Sequence, residues 1–313
     1  MIEKEKKTLP ILFNPSSGKG KALKKIAPLE ATLKKLNIPY KLYVTTSEEN
    51  LRFLTRKMAV INEVIVAAGG DTTINIIINE IKKNDLKTSL GLIGLGSSND
   101  IAREFVGLSL EKACNVLKRK RSKQVDLGVI IHEGHDFHYF LGQANIGLGL
   151  YVNQFVESLA VKNLWLGKKP VLAGAIGIID AYRKKKTSNY LDLNSDKKEL
   201  TGDFVIALIS NIKFWATGIT ICPESCPEDG LLDACFINKC SFFRLVHIAA
   251  KAAVGKHQLL EDVNTLQSSY FEVGSDEYFE IQTDGEILKK DNRVMRFNKA
   301  GFKILPGELS VIC

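Results

Sequence analysis

Three times in the first third of the sequence, a short apolar run breaks into a turn of small residues. Leu9 to Phe13 stops at Asn14-Pro15-Ser16-Ser17-Gly18, Val64 to Ala68 at Gly69-Gly70-Asp71, and Leu90 to Leu95 at Gly96-Ser97-Ser98. Helical spacing follows the first two. Lys19 to Leu36 places Ala22, Leu23, Ile26, Leu29 and Leu33 on one side and lysines on the other, and Thr73 to Ile81 reads as a helix. Tyr40 to Val44 is a further strand and Glu49 to Met58 a further helix. Strand, loop and helix repeated at this spacing predict a mostly parallel sheet covered by helices.

The rhythm changes near Gln124. Val125 to Ile131 and Phe137 to Gly142 read as a hairpin through His132-Glu133-Gly134-His135. Phe204 to Ser210, Leu231 to Ile237, Tyr278 to Thr283 and Phe302 to Leu305 are strand-like, with helical stretches at Tyr151 to Lys186 and Ser241 to Leu259 between them. This half predicts antiparallel β structure with helical insertions, and the domain boundary is placed near residue 125.

The chain carries 43 Lys and Arg against 35 Asp and Glu, a formal charge of +8, which favours an anionic partner. At 45% hydrophobic and 25% charged, it is neither disordered nor collagen-like. The charged start, Met1 to Lys7, does not read as a secretory signal, and the longest apolar run, Val171 to Ala181, falls short of the ~20 residues a bilayer span needs. Six cysteines make no disulfide framework. A soluble, cytoplasmic protein is expected.

At the ligand-binding edge of an α/β sheet, small residues let the main chain approach a phosphate, and helix-start N–H groups attract anions. None of the three loops is a Walker A or a GxGxxG motif, and any one alone is most simply a turn. As an ordered set they say more. Asn14 to Ala22, Gly69-Gly70-Asp71-Thr72-Thr73-Ile74-Asn75 and Gly96-Ser97-Ser98-Asn99-Asp100-Ile101-Ala102-Arg103 resemble the diacylglycerol kinase catalytic family, which includes bacterial lipid kinases, sphingosine kinases and ceramide kinase. The likeness continues through Val125-Asp126-Leu127-Gly128, Asn145-Ile146-Gly147-Leu148-Gly149, Glu228 to Asp233 and Thr283-Asp284-Gly285-Glu286, and so covers nearly the whole chain.

The resemblance implies a NAD kinase/diacylglycerol kinase-like fold: an α/β N-terminal domain with a mostly parallel sheet and flanking helices, and a C-terminal antiparallel β-sandwich. Residues 1–125, with about 295–313 returning, would form the nucleotide-binding domain and 126–294 the lipid domain, with a nucleotide cleft between them. It implies ATP and Mg²⁺ as cofactors. Asn14, Thr45, the run Gly69, Gly70, Asp71, Thr72, Thr73 to Asn75, and Ser97 match nucleotide-contacting positions, and Ser17, Asn99 and Asp100 belong to the same loops. Asp284 matches the residue that deprotonates the substrate hydroxyl in bacterial members, and Asp71 its counterpart in sphingosine kinases. Glu286 supplies a second carboxylate beside Asp284, one to face the hydroxyl and one to hold a metal or a water. Asp229, with backbone oxygens near Cys226 and Leu231, matches a structural Mg²⁺ site.

The expected activity is ATP-dependent phosphorylation of diacylglycerol or a related lipid alcohol. The partners are a nucleotide and a lipid met at the inner membrane face, with a homodimer left open and nucleic acid excluded for want of interleaved aromatics around Lys118 to Lys123. Two departures favour a rival, a nucleotide-binding paralogue with little activity. Thr72 stands where the family usually has glycine, a substitution that strains the turn if that position needs positive φ, and Ile76 stands where many members have Glu. Gly94 replaces a proline without evident harm. A kinase of a soluble alcohol, of the NAD kinase type, is the other rival.

Simpler readings stand beside these. Asp284-Gly285 and Asp229-Gly230 are each a favoured turn pair. His132, His135 and His138 read as a solvated hairpin tip, because that spacing does not align them on one face of a strand. Cys222, Cys226, Cys235 and Cys240 read as ordinary thiols. Trp165 to Lys186 fits either a packed helix with basic caps or a basic, apolar lid on anionic headgroups.

Overall fold

The computed structural model describes residues 8–161, 170–184 and 188–313. Strands β1 (Leu9–Phe13), β2 (Tyr40–Val44), β3 (Val64–Gly69) and β4 (Ser89–Gly94) lie parallel in the order β2-β1-β3-β4. β1, β3 and β4 are buried along almost their whole length, the pattern of a parallel sheet covered on both faces. The covering helices are α1 (Ile26–Lys35), α2 (Glu48–Ile61), α3 (Asp71–Lys83), the short α4 (Asp100–Phe105) and α5 (Leu110–Arg119). α2 starts where Ser47 accepts the Asn50 N–H at 3.1 Å, with Glu48 and Glu49 in the first turn, which suits the helix dipole.

The single helix expected from Lys19 to Leu36 is instead a 3₁₀ turn, Lys21–Lys25, followed by α1. Pro28 explains the break. It has no N–H, so it fits the first turn of a helix and not the interior of a longer one.

The second unit is antiparallel. It opens with the hairpin of β5 (Ser122–His132) and β6 (His135–Phe140), then β7 (Gln143–Gly147), β8 (Asn189–Ser195) and β9 (Glu199–Ser210). Strands Leu232–Asn238, Val263–Ser268 and Tyr270–Phe279 complete its main ladders. Helices α6 (Leu148–Val161), α7 (Pro170–Arg183) and α8 (Phe242–Ala252) are the expected insertions. The long helix expected from Tyr151 to Lys186 is thus two helices, and its central part, 162–169, lies outside the described residues. No helix among the described residues is long and apolar enough to cross a membrane.

One strand, Phe297–Ile312, serves both units. Its first part pairs with Tyr270–Phe279 and with Gly128 to Ile131, while Leu309 to Ile312 pairs with Ser122 to Val125 and Val311 lies parallel beside Leu90 of β4. The register shifts between Leu305 and Leu309. At this bulge the buried Asp126 accepts the Gly307 N–H at 2.8 Å, and its other oxygen accepts the Gly230 N–H at 2.7 Å. The apolar cores divide in the same place. Leu309, Val311 and Ile312 pack with the parallel sheet, whereas Ile130, Phe302 and Ile304 pack with the antiparallel one.

Candidate active site

The three small-residue loops meet at one edge of the parallel sheet. Asn14, just beyond β1, donates from Nδ2 to Thr73 Oγ1 at 2.9 Å, and Ser17 Oγ accepts the Gly70 N–H at 3.2 Å. Those bonds dock the first loop on the second. The second and third loops touch through main chain: a Cβ on Gly96 would stand 2.5 Å from Gly70 Cα. Only glycine lets the two turns pack so closely. Thr45, at the end of β2, is buried and donates its hydroxyl to the Phe13 carbonyl at 3.2 Å. Ser97 is exposed, while Asn99 bonds back to Gly96 through both its oxygen (2.6 Å) and its nitrogen (2.9 Å).

Thr72 falls inside α3, with no positive φ. The strain expected from replacing glycine there is therefore absent: a right-handed helical position does not need glycine. Its Oγ1 points toward the far hairpin, 3.4 Å from where a Cβ on Gly285 would lie.

That hairpin carries Asp284. Gln282–Thr283 pairs with Glu286–Ile287 across a two-residue turn, Asp284 (φ 47) and Gly285 (φ 91), both left-handed as a type I′ turn requires. The turn reading and the functional one are thus compatible. Asp284 is 1% exposed and its carboxylate holds four N–H donors. Oδ1 accepts from Gly142 (3.0 Å) and Gln143 (2.8 Å), and Oδ2 from Leu141 (3.0 Å) and Asn75 Nδ2 (2.9 Å). Burial pushes its pKa up to about 6, against these donors, and the nearby Asp71 adds repulsion. Glu286 is half-buried on the next strand.

Asp71 sits where the second loop meets the third. Its Oδ1 accepts the Ile101 N–H at 3.0 Å and its Oδ2 the Asp100 N–H at 3.2 Å, so both oxygens are bound at the start of α4. Burial raises its pKa. Asp100 is pushed up to about 6 by burial and by the Asp71 charge. Its Oδ2 accepts the Thr217 N–H at 3.3 Å, and its Oδ1 is buried with no partner.

Among the described residues no hydrogen bond links Asp229 to this cluster. Its turn contacts β5 and the Pro306–Gly307 bend, Leu231 N–H donates to Asp229 Oδ1 at 2.9 Å, and Asp229 N–H reaches the Cys226 carbonyl at 3.4 Å. Among the described residues no three His, Cys, Asp or Glu side chains converge as a metal cluster. The donors of the turn, one carboxylate and neighbouring carbonyls, are all oxygen, which fits a hard cation that keeps several waters. The Cys226 thiol itself is exposed and free.

Several residues of the site carried no sequence signal. The N–H groups of Leu141 to Gln143 belong to a strand junction whose side chains are unremarkable. His138 departs from the solvated tip expected for its row. Its Nε2 lies 2.9 Å from Asn75 Oδ1, and burial drives its pKa down to about 3, while His135 stays exposed. Asn79 supports the same junction, donating to the Tyr139 carbonyl at 2.8 Å and accepting the Tyr139 N–H at 3.0 Å.

Residues 8–130 match the diacylglycerol kinase catalytic domain, and residues 144–313 match the YegS C-terminal NAD kinase beta sandwich-like domain. A diacylglycerol kinase of Bacillus subtilis (strain 168) is 22% identical over 281 residues, 88% of each chain. One of Mycobacterium tuberculosis (strain H37Rv) is 25% identical over 261 residues, 82% of each. The crystal structure of a diacylglycerol kinase from Bacillus anthracis str. Sterne superposes with a TM-score of 0.69 at 16% identity, covering 97% of this chain and 96% of that one. With both halves of the sequence matched in order and the fold shared end to end, the chain belongs to the diacylglycerol kinase family of lipid kinases.

Proposed function

We propose that the protein is an ATP-dependent kinase that transfers the γ-phosphoryl group to the hydroxyl of diacylglycerol or a related lipid alcohol. The observation that carries this reading is the bond from Asn75, on the helix that follows the second glycine loop, to the buried carboxylate of Asp284. It sets a carboxylate from the rear half of the chain beside a phosphate-type loop from the front half.

In this reading residues 1–125, with the returning tail, bind the nucleotide, and 126–294 face the lipid. Asn14, Ser17, Thr45, Gly69 to Asn75, Ser97, Asn99 and Asp100 surround the nucleotide. The first N–H groups of α3 have no acceptor within the helix and suit phosphate oxygens. Asp284 is ionised at neutral pH and accepts the hydroxyl proton as the bond to phosphorus forms. Its four donors hold the carboxylate in place, which is the main demand of phosphoryl transfer on a protein. Asp71 ties the second loop to the third, and Glu286 stands beside the turn to orient a water. Bound Mg²⁺ neutralises charge on the phosphates. The unpaired Asp100 Oδ1 suits such a cation, and Asp229 with the Cys226 and Leu231 carbonyls suits a structural one.

The same four bonds support a second reading, in which Asp284 only braces its turn and the protein binds nucleotide without turnover. Radiolabelled ATP with Mg²⁺, offered to diacylglycerol, monoacylglycerol, ceramide and a sphingoid base in mixed micelles, separates the two. Label in a lipid supports the kinase, and ATP binding by calorimetry without label supports the brace. Label in a soluble alcohol such as NAD would move the assignment to the NAD kinase type.

A further inference from the structure

Helix α8 has two apolar faces. Leu245, Ile248 and Ala252 are buried against the second unit. The other face is in solvent: Phe243 is 83% exposed and Val246 51%, and beyond the helix Val254 is 65% and Leu259 85% exposed. Phe243, Val246 and Ala250 recur at intervals of three and four, so they form one stripe on the helix, and Val254 follows in the turn beyond it. A solvent-facing stripe of this kind marks a contact surface, since a surface helix ordinarily turns its polar face outward.

The segment that carries the stripe is basic, with Glu261 and Asp262 just beyond its end. From Lys239 to Leu260 there is no acidic residue, whereas Lys239, Arg244, His247, Lys251 and Lys256 all fall there. Asp203 and Asp262, outside that segment, pair with Lys239 and Arg244. Lys251 and Lys256 are exposed and carry no ion pair among the described residues. The end of α7 extends the surface: Tyr182 meets Phe242 edge-on at 5.8 Å, and an open groove beside them is lined by Ile179, Tyr182, Arg183 and Phe242.

We propose that this face docks the protein on a bilayer containing anionic lipid, with Phe243, Val246, Val254 and Leu259 entering the headgroup region and Lys251 and Lys256 meeting lipid phosphates. Apolar insertion flanked by cations is how interfacial helices bind such membranes. The choice of a bilayer over a protein partner rests on the lipid-kinase reading and on charge. A two-fold contact between copies through this face would bring the exposed Lys251 and Lys256 of each together, while the flanking Asp203 and Asp262 are already paired with Lys239 and Arg244.

The test is sedimentation of the full-length protein with vesicles of phosphatidylcholine alone and of phosphatidylcholine with phosphatidylglycerol, in the absence of ATP. The wild type is expected to partition onto the phosphatidylglycerol vesicles. F243S/V254S and K251E/K256E are each expected to lose at least tenfold in partition while melting like the wild type. Equal partition of variants and wild type, or binding indifferent to phosphatidylglycerol, overturns the proposal. So does a dimer, seen by light scattering, that F243S/V254S splits without changing vesicle binding. Because vesicle binding is read without turnover, a failure to label any lipid would overturn the kinase reading and leave this result standing.

Discussion

Asn75 Nδ2 lies 2.9 Å from Asp284 Oδ2, a bond between residues 209 positions apart. It couples the start of α3 to the turn of the far hairpin, so the place of the carboxylate depends on both units. Asp284→Asn is the smallest change that tests this. The substitution is expected to remove at least ~2 kcal/mol of transition-state stabilisation, the usual effect of losing a base. The four donors add a second consequence, a loss of stability. Whichever way the new amide turns, its NH₂ faces two N–H groups, at a stability cost of about 1–3 kcal/mol. Initial rates and a melting curve separate the two effects, and wild-type turnover by a folded variant removes Asp284 from the chemistry.

The Asn75 amide is itself oriented by Asn79, by the Tyr139 carbonyl and by His138. His138 Nε2 lies 2.9 Å from Asn75 Oδ1, which can only accept, and 3.3 Å from Asn79 Nδ2, which can only donate. The shorter contact favours the tautomer with the proton on Nε2, and the ring is neutral because burial drives its pKa down to about 3. His138→Phe is expected to lower kcat by roughly tenfold, equivalent to about 1.4 kcal/mol, with KM for ATP little changed. His138→Gln, which retains a donor, is expected to recover most of it. Equal losses in both variants, or a loss confined to KM, would show that the ring only fills space.

Thr72→Gly was the natural repair from the sequence, since the family's loop usually has glycine there. The structure gives the change nothing to relieve. Position 72 is helical, so glycine brings only its conformational entropy, about 0.5–1 kcal/mol of lost stability. It also removes the hydroxyl that faces Gly285. Calorimetry with ATP is expected to show no gain in affinity, and a tighter-binding variant would mean that the threonine crowds the nucleotide.

Thr72 marks the boundary of what the sequence could convey. The parallel sheet was legible because β1, β3 and β4 are continuous apolar runs ending in small residues, and because the loop motifs come in order. Asp284 was legible as part of Asp-Gly-Glu. The site's other half was not. Strand β7 and the amides of Leu141 to Gln143 act through main chain, which has no side-chain signature, and β8 (Asn189–Ser195) alternates too weakly to stand out. Asp71 shows the converse: a motif fixes a residue's neighbourhood without naming its partners, which here include the N–H groups of Asp100 and Ile101.

Asp100 gives the fold a pH dependence. Its pKa stands at about 6 in the folded protein against an ordinary 3.8, so the folded state favours the protonated form. The contribution is fully present below about pH 4 and is lost as pH rises through about 6. Asp100→Asn removes the charge and keeps an acceptor for Thr217. Urea unfolding at about pH 4.5 and about pH 7 is expected to show the variant gaining on the wild type at the higher pH, by an amount of order 1 kcal/mol. A difference independent of pH would mean that Asp100 is already ionised at no cost, its unpaired Oδ1 having found water.

Gly96→Ala tests the contact between loops directly. A Cβ at 2.5 Å from Gly70 Cα meets backbone, which cannot swing aside as a side chain can, so the second and third loops must part. Overpacking of this kind costs about 1–3 kcal/mol. Because Ser17 holds the Gly70 N–H and Asp71 caps α4, the displacement passes to the first loop and to the start of α4, and ATP affinity falls with stability. Gly134→Ala is the matching control. Gly134 has φ 80 with nothing within 4 Å of a new Cβ, so that variant loses about 1 kcal/mol to backbone strain alone. Calorimetry is expected to give weaker ATP binding for Gly96→Ala and unchanged binding for Gly134→Ala at comparable loss of stability. Equal affinities would mean that the loops' close packing serves the fold and not the nucleotide.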